Sequence, residues 1–151
     1  MPYLIDGHNL IPKVPGIELG DIDDEQALFN LLNDFFKKLR INAIVFFDCA
    51  APGSKSVINT AFLQAQFINN SSSADVAIIN HLNHLGGDAR NYKVVTSDHW
   101  VADHARTTGA SVISSEDFVN NIFTDDRKRT KKLKNKPEDI EYWLRIFQNK
   151  P

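Results

Sequence analysis

Three aspartates stand where apolar runs stop. Asp6 follows Tyr3-Leu4-Ile5, Asp48 follows Ile44-Val45-Phe46-Phe47, and Asp98 follows Val94-Val95-Thr96-Ser97. A short apolar run ending at a polar residue reads as a buried strand. In open α/β sheets, sites form in the crevice outside the carboxyl ends of the strands. Carboxylates delivered there converge. Asp75 is a fourth: it precedes Ile78, Ile79 and Leu82 on one helical stripe, so it lies in a first turn and faces inward. Two unit charges about 4 Å apart repel by roughly 4 kcal/mol at an effective dielectric of 20. No Lys or Arg lies within three residues of Asp6, Asp48, Asp75 or Asp98. A cation must fill such a gap, and all-oxygen ligands suit Mg²⁺ or Mn²⁺.

Each acid also has a purely structural role open to it. Asp6-Gly7 could be a turn, Asp48 a cap, Asp75 a complement to a helix dipole, and Asp98 the N-cap of the next helix. Coincidence of all four at one edge favours a site. His8 and His99 flank the crevice and could touch substrate. His81 and His84 are spaced for Zn²⁺ on a helix but lack a third ligand, so a solvated helix face is the better reading. His104 and Cys49 read as structural.

The elements that must position these acids follow from periodicity. After a loop from Pro12 to Gly20, Asp23-x-x-Gln26 predicts a capping box for a helix carrying Leu28, Leu31, Leu32, Phe35, Phe36 and Leu39. Ala51 to Lys55 reads as a loop and Phe62 to Ile68 as a further strand. The Asp75 helix stops at Gly86-Gly87. His99 to Thr108 is a short helix closed by Gly109, Ser111 to Ser114 a last strand, and Ser115 to Phe123 a helix. Strands alternating with helices predict an α/β fold, a central parallel sheet with helices on both faces.

The chain has 151 residues, 42% hydrophobic and 24% charged, the profile of one soluble domain rather than a disordered chain. A single cysteine excludes an internal disulfide and points to a reducing, cytoplasmic setting. The N-terminus reads as a first strand and not a signal peptide, and no apolar run is long enough to span a membrane. The net charge of −2 is uneven. Residues 1–125 hold 8 Lys and Arg against 15 Asp and Glu; residues 126–151 hold 9 against 4. Three parts are expected: a domain over 1–125, a basic linker over 126–136, and a C-terminal helix over 137–151 with Ile140, Trp143, Leu144 and Phe147 on one side.

Leu4-Ile5-Asp6-Gly7-His8-Asn9-Leu10-Ile11 resembles the opening strand-turn of the YacP-like NYN domains, which are PIN-like nucleases. Phe46-Phe47-Asp48, Ser73-Ala74-Asp75 and Val94-Val95-Thr96-Ser97-Asp98 resemble the family's later pieces, in the family's order, over residues 3 to about 119. The resemblance implies a PIN-like three-layer α/β/α domain and metal-dependent RNA cleavage leaving 5′-phosphate and 3′-hydroxyl ends. Many NYN domains carry a second acid two residues after the serine-aspartate pair. Here that position is Trp100, and the next acid is Asp103.

The expected function is a Mg²⁺- or Mn²⁺-dependent ribonuclease, an endoribonuclease by preference. Asp6, Asp75 and Asp98 hold metal, with Asp48 as ligand or supporting carboxylate. Asn9 could orient Asp6 or bond a phosphate oxygen, and Ser97 could steady a bound water or a carboxylate. Arg127, Lys128, Arg129, Lys131, Lys132, Lys134 and Lys136 would hold RNA against the repulsion of the acidic domain. The alternatives are a non-catalytic RNA-binding module, which would not bind metal, and a Mg²⁺-dependent phosphatase. The polybasic run favours a polymer, and Asp6-Gly7-His8 lacks the paired acids of aspartyl-phosphate enzymes. A ribosome is left open as the docking partner.

Overall fold

The computed structural model describes residues 1–17, 23–48, 57–68 and 73–132, the last eight of these by backbone only. A six-stranded sheet is built from β1 (Tyr3–Asp6), β2 (Ala43–Phe47), β3 (Val57–Asn59), β4 (Leu63–Phe67), β5 (Lys93–Val95) and β6 (Ser111–Ile113), in the order β3-β4-β2-β1-β5-β6. All pairings are parallel except β3 with β4. The helices are α1 (Gly7–Leu10), α2 (Asp24–Leu39), α3 (Ala74–Leu85), α4 (His99–Thr107) and α5 (Ser115–Lys132). The α/β class and the largely parallel sheet expected from the sequence are observed.

Strand alternation divides the core. Ile5, Val45, Phe47 and Val95 pack on one face, with α2 residues Leu28, Leu32 and Phe36 and α5 residues Phe118 and Ile122. Leu4, Phe46 and Val94 pack on the other, with α3 residues Ala74, Ile78 and Leu82 and α4 residues Val101 and Ala105. The chain leaves β1 toward the α2 face and leaves β5 toward the α4 face. These neighbouring strands therefore open a crevice between their carboxyl ends, which is the switch point where α/β sheets bind ligands. The same alternation puts Asp6 on the Leu4 side, facing α3.

Several local expectations change. Residues 7–13 form α1 and a 3-10 turn, Ile11–Lys13. Gly7 has a steric reason: a Cβ there would meet the Phe47 ring carbons at 2.4 and 2.6 Å. The capping box at Asp23 does not form. Asp23 has φ −102° and ψ 13°, outside the extended region that aims a capping side chain back at the helix, and Gln26 bonds Asn30 instead. β3 escaped the periodicity reading because its three residues are all exposed and lack alternation. α5 continues to Lys132, past the expected stop at Phe123, so the first part of the segment read as a linker is helical backbone. Lys134, Lys136, the 137–151 helix, Cys49 and the loop at 51–55 lie outside the described residues. Among the described residues no helix is long and apolar enough to cross a membrane.

Candidate active site

The carboxyl edge of β1 is buried. Asp6 is only 5% exposed. Its carboxyl is pushed up to about 7, first by burial, then by the charge of Asp75, with Asp48 adding to both; the Asn9 backbone N–H opposes the shift. Asp75 is also raised, first by burial and then by Asp98. The contact between the two carboxyls raises Asp6 and lowers Asp75, so of the pair Asp6 is pushed further toward its neutral form. Two acids so placed do not readily both ionise in a poorly solvated gap.

The other two acids are held by helix N-termini. Asp48 accepts from the N–H of Ala74, the first residue of α3, while Ser73 caps the same helix through Val76. Asp98 accepts from the N–H of Val101 at 3.1 Å and is the N-cap of α4. Capping and site membership therefore coexist. A carboxylate has two oxygens, and the cap fixes the direction of the second. Among the described residues no three His, Cys, Asp or Glu side chains stand in ready ligand geometry. Asp6 and Asp75 face each other, and Asp48 and Asp98 are turned to backbone N–H groups. The donor set is nonetheless all oxygen, the kind that hard divalent cations take.

Asn9 and Ser97 form the floor beside this group. The Asn9 side-chain oxygen accepts from Ser97 N–H at 2.7 Å and from the Ser115 hydroxyl at 2.6 Å. It is Asn9's backbone, and not its amide, that meets Asp6. Ser97 donates its hydroxyl to Glu116 at 2.6 Å and accepts from Ser115 N–H at 3.0 Å. Ser97 thus steadies a carboxylate that sequence reasoning passed over. Glu116 also pairs with Lys13 at 2.9 Å. These donors, Ser97 foremost, hold its carboxyl down to about 2. Glu116 carried a readable signal: it stands in the first turn of a helix that follows a strand.

The histidines divide. His8 Nδ1 accepts from Asp48 N–H at 3.3 Å, and Nε2 faces Glu25 at 3.3 Å. It ties β2 to α2. His99 is exposed at the start of α4 and lines an open hollow with Ser97, Arg106 and Glu116. His81 is half-buried between Phe46 and Tyr92, where burial lowers its pKa, and is not a solvated residue. Asp103 pairs with Arg106 on the exposed face of α4. The basic residues Arg127, Lys128, Arg129, Lys131 and Lys132 lie on the last part of α5.

The YacP-like NYN domain model matches residues 3–147. The chain belongs to this family. NYN domains have a PIN-like nuclease fold, and the match extends well beyond residue 119, taking in the basic segment that the motifs alone left out. Among solved structures, the chain is similar to Rae1 (YacP) from Bacillus subtilis, at 21% identity over 98% of this chain and 92% of that one, with a TM-score of 0.68. A tryptophan-to-leucine variant of the same protein matches at 0.70 with the same identity and coverage. At that identity the likeness is one of fold. No curated protein matches the sequence significantly.

Proposed function

We propose that this NYN domain is a Mg²⁺- or Mn²⁺-dependent ribonuclease whose metal is held by Asp6, Asp75 and Asp98, with Asp48 beside them. The observation that carries the reading is the buried Asp6 set against Asp75 at the switch point of the sheet, with Asp48 and Asp98 adding repulsion. Asp48 and Asp98 are met by backbone donors, whereas Asp6 and Asp75 face one another, and an oxygen-only group that gathers this much negative charge is suited to a divalent ion.

When bound, such an ion supplies a lowered pKa for attacking water and charge stabilisation at the phosphorus. The chain's own residues do the rest. Asp6, Asp75 and Asp98 would hold the ion through their carboxylate oxygens. Ala74 and Val101 N–H groups keep Asp48 and Asp98 aimed. Asn9, through Ser97 and Ser115, locks the β5–α4 corner to the start of α5. No histidine base is required. The basic residues of 127–136 supply affinity for the RNA backbone and take no part in bond cleavage.

The test is incubation of a generic single-stranded RNA with the protein in Mn²⁺ and in EDTA, with the ends of the products mapped and a chromogenic phosphate ester alongside. Cleavage in Mn²⁺ alone, with 5′-phosphate ends, supports the reading. Hydrolysis of the ester with RNA intact would favour a phosphatase. RNA binding with neither activity would leave a binding module.

A further inference from the structure

The crevice at the carboxylates continues past β5. The chain leaves β5 into α4, which packs on the Leu4 face of the sheet, and leaves β6 into α5, which packs on the Ile5 face. β5 and β6 are paired neighbours, and connections that part to opposite faces open a crevice at the carboxyl ends of such strands. A hollow of about 550 Å³ lies there, the size of a small-molecule pocket. Ser97 and His99, the residues on either side of Asp98, both line it. The hollow therefore begins beside the carboxylate group and runs on by about one strand spacing, about 4.8 Å, along the sheet edge.

Its walls differ in chemistry. Val112 and Ile113 of β6 and Ala102 of α4 give it an apolar floor. α4 also presents Arg106, whose ion pair with Asp103, at 3.4 Å, is exposed. α5 presents Glu116 and Asp117. Glu116 is engaged by Ser97 and Lys13. The Asp117 backbone N–H donates to the Ser114 hydroxyl at 3.1 Å, whereas its carboxylate is exposed and makes no hydrogen bond or ion pair among the described residues.

Two carboxylates on one wall repel a phosphate. They suit a neutral ring that carries N–H donors. In single-stranded RNA the base next to a phosphate is such a ring, and proteins receive it by stacking on its face, with Arg planes among the platforms, and by bonding its edges. Guanine sets two adjacent donors, N1–H and the N2 amino group, on its Watson–Crick edge, and one carboxylate accepts both in parallel. Adenine, cytosine and uracil each place a lone-pair acceptor beside the donor, which a carboxylate repels. We infer that the hollow between α4 and α5 is a subsite for an unpaired guanine, with Asp117 accepting from its Watson–Crick edge, Arg106 covering its face, and Val112 and Ile113 beneath it. The phosphate of that nucleotide lies at the Asp6–Asp75–Asp98 group. This deepens the ribonuclease reading and rests on it. It assigns the substrate class as single-stranded RNA with guanine beside the engaged phosphate, because a paired guanine has those donors committed to its partner.

The experiment measures binding in metal-free buffer, apart from cleavage. Anisotropy gives affinities for labelled uridine oligoribonucleotides whose central base is guanine, adenine, cytosine, uracil or inosine's hypoxanthine. A good bidentate pair discriminates by about 1–3 kcal/mol, so wild type should favour guanine by about 5- to 150-fold. Inosine, which lacks the N2 amino group, should lose much of that preference. Asp117→Ala should bring the guanine preference below about twofold, and its exposed position leaves the fold undisturbed. Arg106→Ala should weaken binding of every base alike, by about 2- to 5-fold. Equal affinities for all bases in wild type, or a guanine preference untouched in Asp117→Ala, would overturn the subsite. Cleavage in Mn²⁺ without base preference would remove the subsite and leave the nuclease reading. Guanine-selective binding that depends on Asp117, with no cleavage in Mn²⁺, would support the subsite while removing the nuclease reading, so the two fail separately.

Discussion

Asp6 and Glu116 belong to the same rim of one sheet and titrate in opposite directions, one pushed up to about 7 and the other held down to about 2. Both are carboxylates at the junction of a strand and a helix. The difference is what surrounds them. Asp6 is buried, and its side-chain neighbours are acids. Glu116 has open solvent, a serine hydroxyl and a lysine. The fold gives Glu116 a hydroxyl and a cation and leaves Asp6 with burial and like charge. This contrast separates candidate ligands from supporting residues better than proximity does, since both kinds stand at one rim.

The largest effect should come from removing charge at the acidic side. Asp6→Asn, Asp75→Asn and Asp98→Asn each keep volume and lose a ligand. Each should lower RNA cleavage on the order of a thousandfold or more, since the lost stabilisation is several kcal/mol. Pairs of these changes should cost little more than one, because the ligands act as a unit. His81→Ala should be near wild type. Single-turnover rates decide, and an active Asp98→Asn would break the contrast.

The next effect concerns the basic segment, where the chain applies the same logic on a larger scale by attaching a positive run to an acidic domain. Replacing Arg127, Lys128, Arg129, Lys131 and Lys132 with Gln should weaken RNA affinity by about tenfold or more at low salt. It should flatten the salt dependence by about 0.7 in log–log slope for each phosphate no longer neutralised. Cleavage at saturating RNA should hardly change. Affinity measured across a salt series, with rates alongside, checks both.

Stability against pH tests the raised Asp6 carboxyl directly. A carboxyl raised in the folded state binds its proton more tightly folded than unfolded. Its stabilising contribution is complete below the ordinary carboxyl pKa and is lost as pH rises toward about 7. Metal-free protein should therefore lose roughly 3 kcal/mol between about pH 5 and pH 8, and Asp6→Asn should abolish most of that slope in urea titrations. Manganese at neutral pH should restore it. At a hundred times its dissociation constant it stabilises by about 2.7 kcal/mol, and it should do far less in Asp98→Asn.

Glu116 should give the smallest effect and the opposite sign. Its carboxyl is depressed, so whatever it contributes is present above the ordinary glutamate pKa and fades as pH falls toward about 2. The Lys13 pair is exposed, so Glu116→Gln should move the melting temperature by less than about 2 °C. A large loss of stability would mean that Glu116 is not the solvated partner described.

Much of this was legible because it rests on local pattern. Apolar runs ending in Asp located β1, β2 and the end of β5, and the Ile78-Ile79-Leu82 stripe located α3. What stayed hidden depends on long-range geometry. Lys13 is far in sequence from the acids, yet the turn after α1 brings it to Glu116. Asn9 looked like a partner for Asp6 but joins Ser97 to Ser115, because parallel pairing sets β1 beside β5 and so brings α1 against the starts of α4 and α5. β3 has no periodicity to read. Asp23 had the right residues for a cap and the wrong backbone angles.

α5 begins at Ser115, which bonds Asn9 and Ser97, and runs unbroken to Lys132. A helix converts sequence separation into fixed distance. At 1.5 Å per residue, Arg127 lies about 18 Å and Lys132 about 26 Å along the axis from the rim. The helix is therefore a ruler between the carboxylates and the first of the basic residues. On the proposed function, an RNA too short to span that interval engages one end or the other but not both. A ladder of oligonucleotides should accordingly show affinity rising in a step at the length that bridges them, and a helix lengthened by whole turns should move the step.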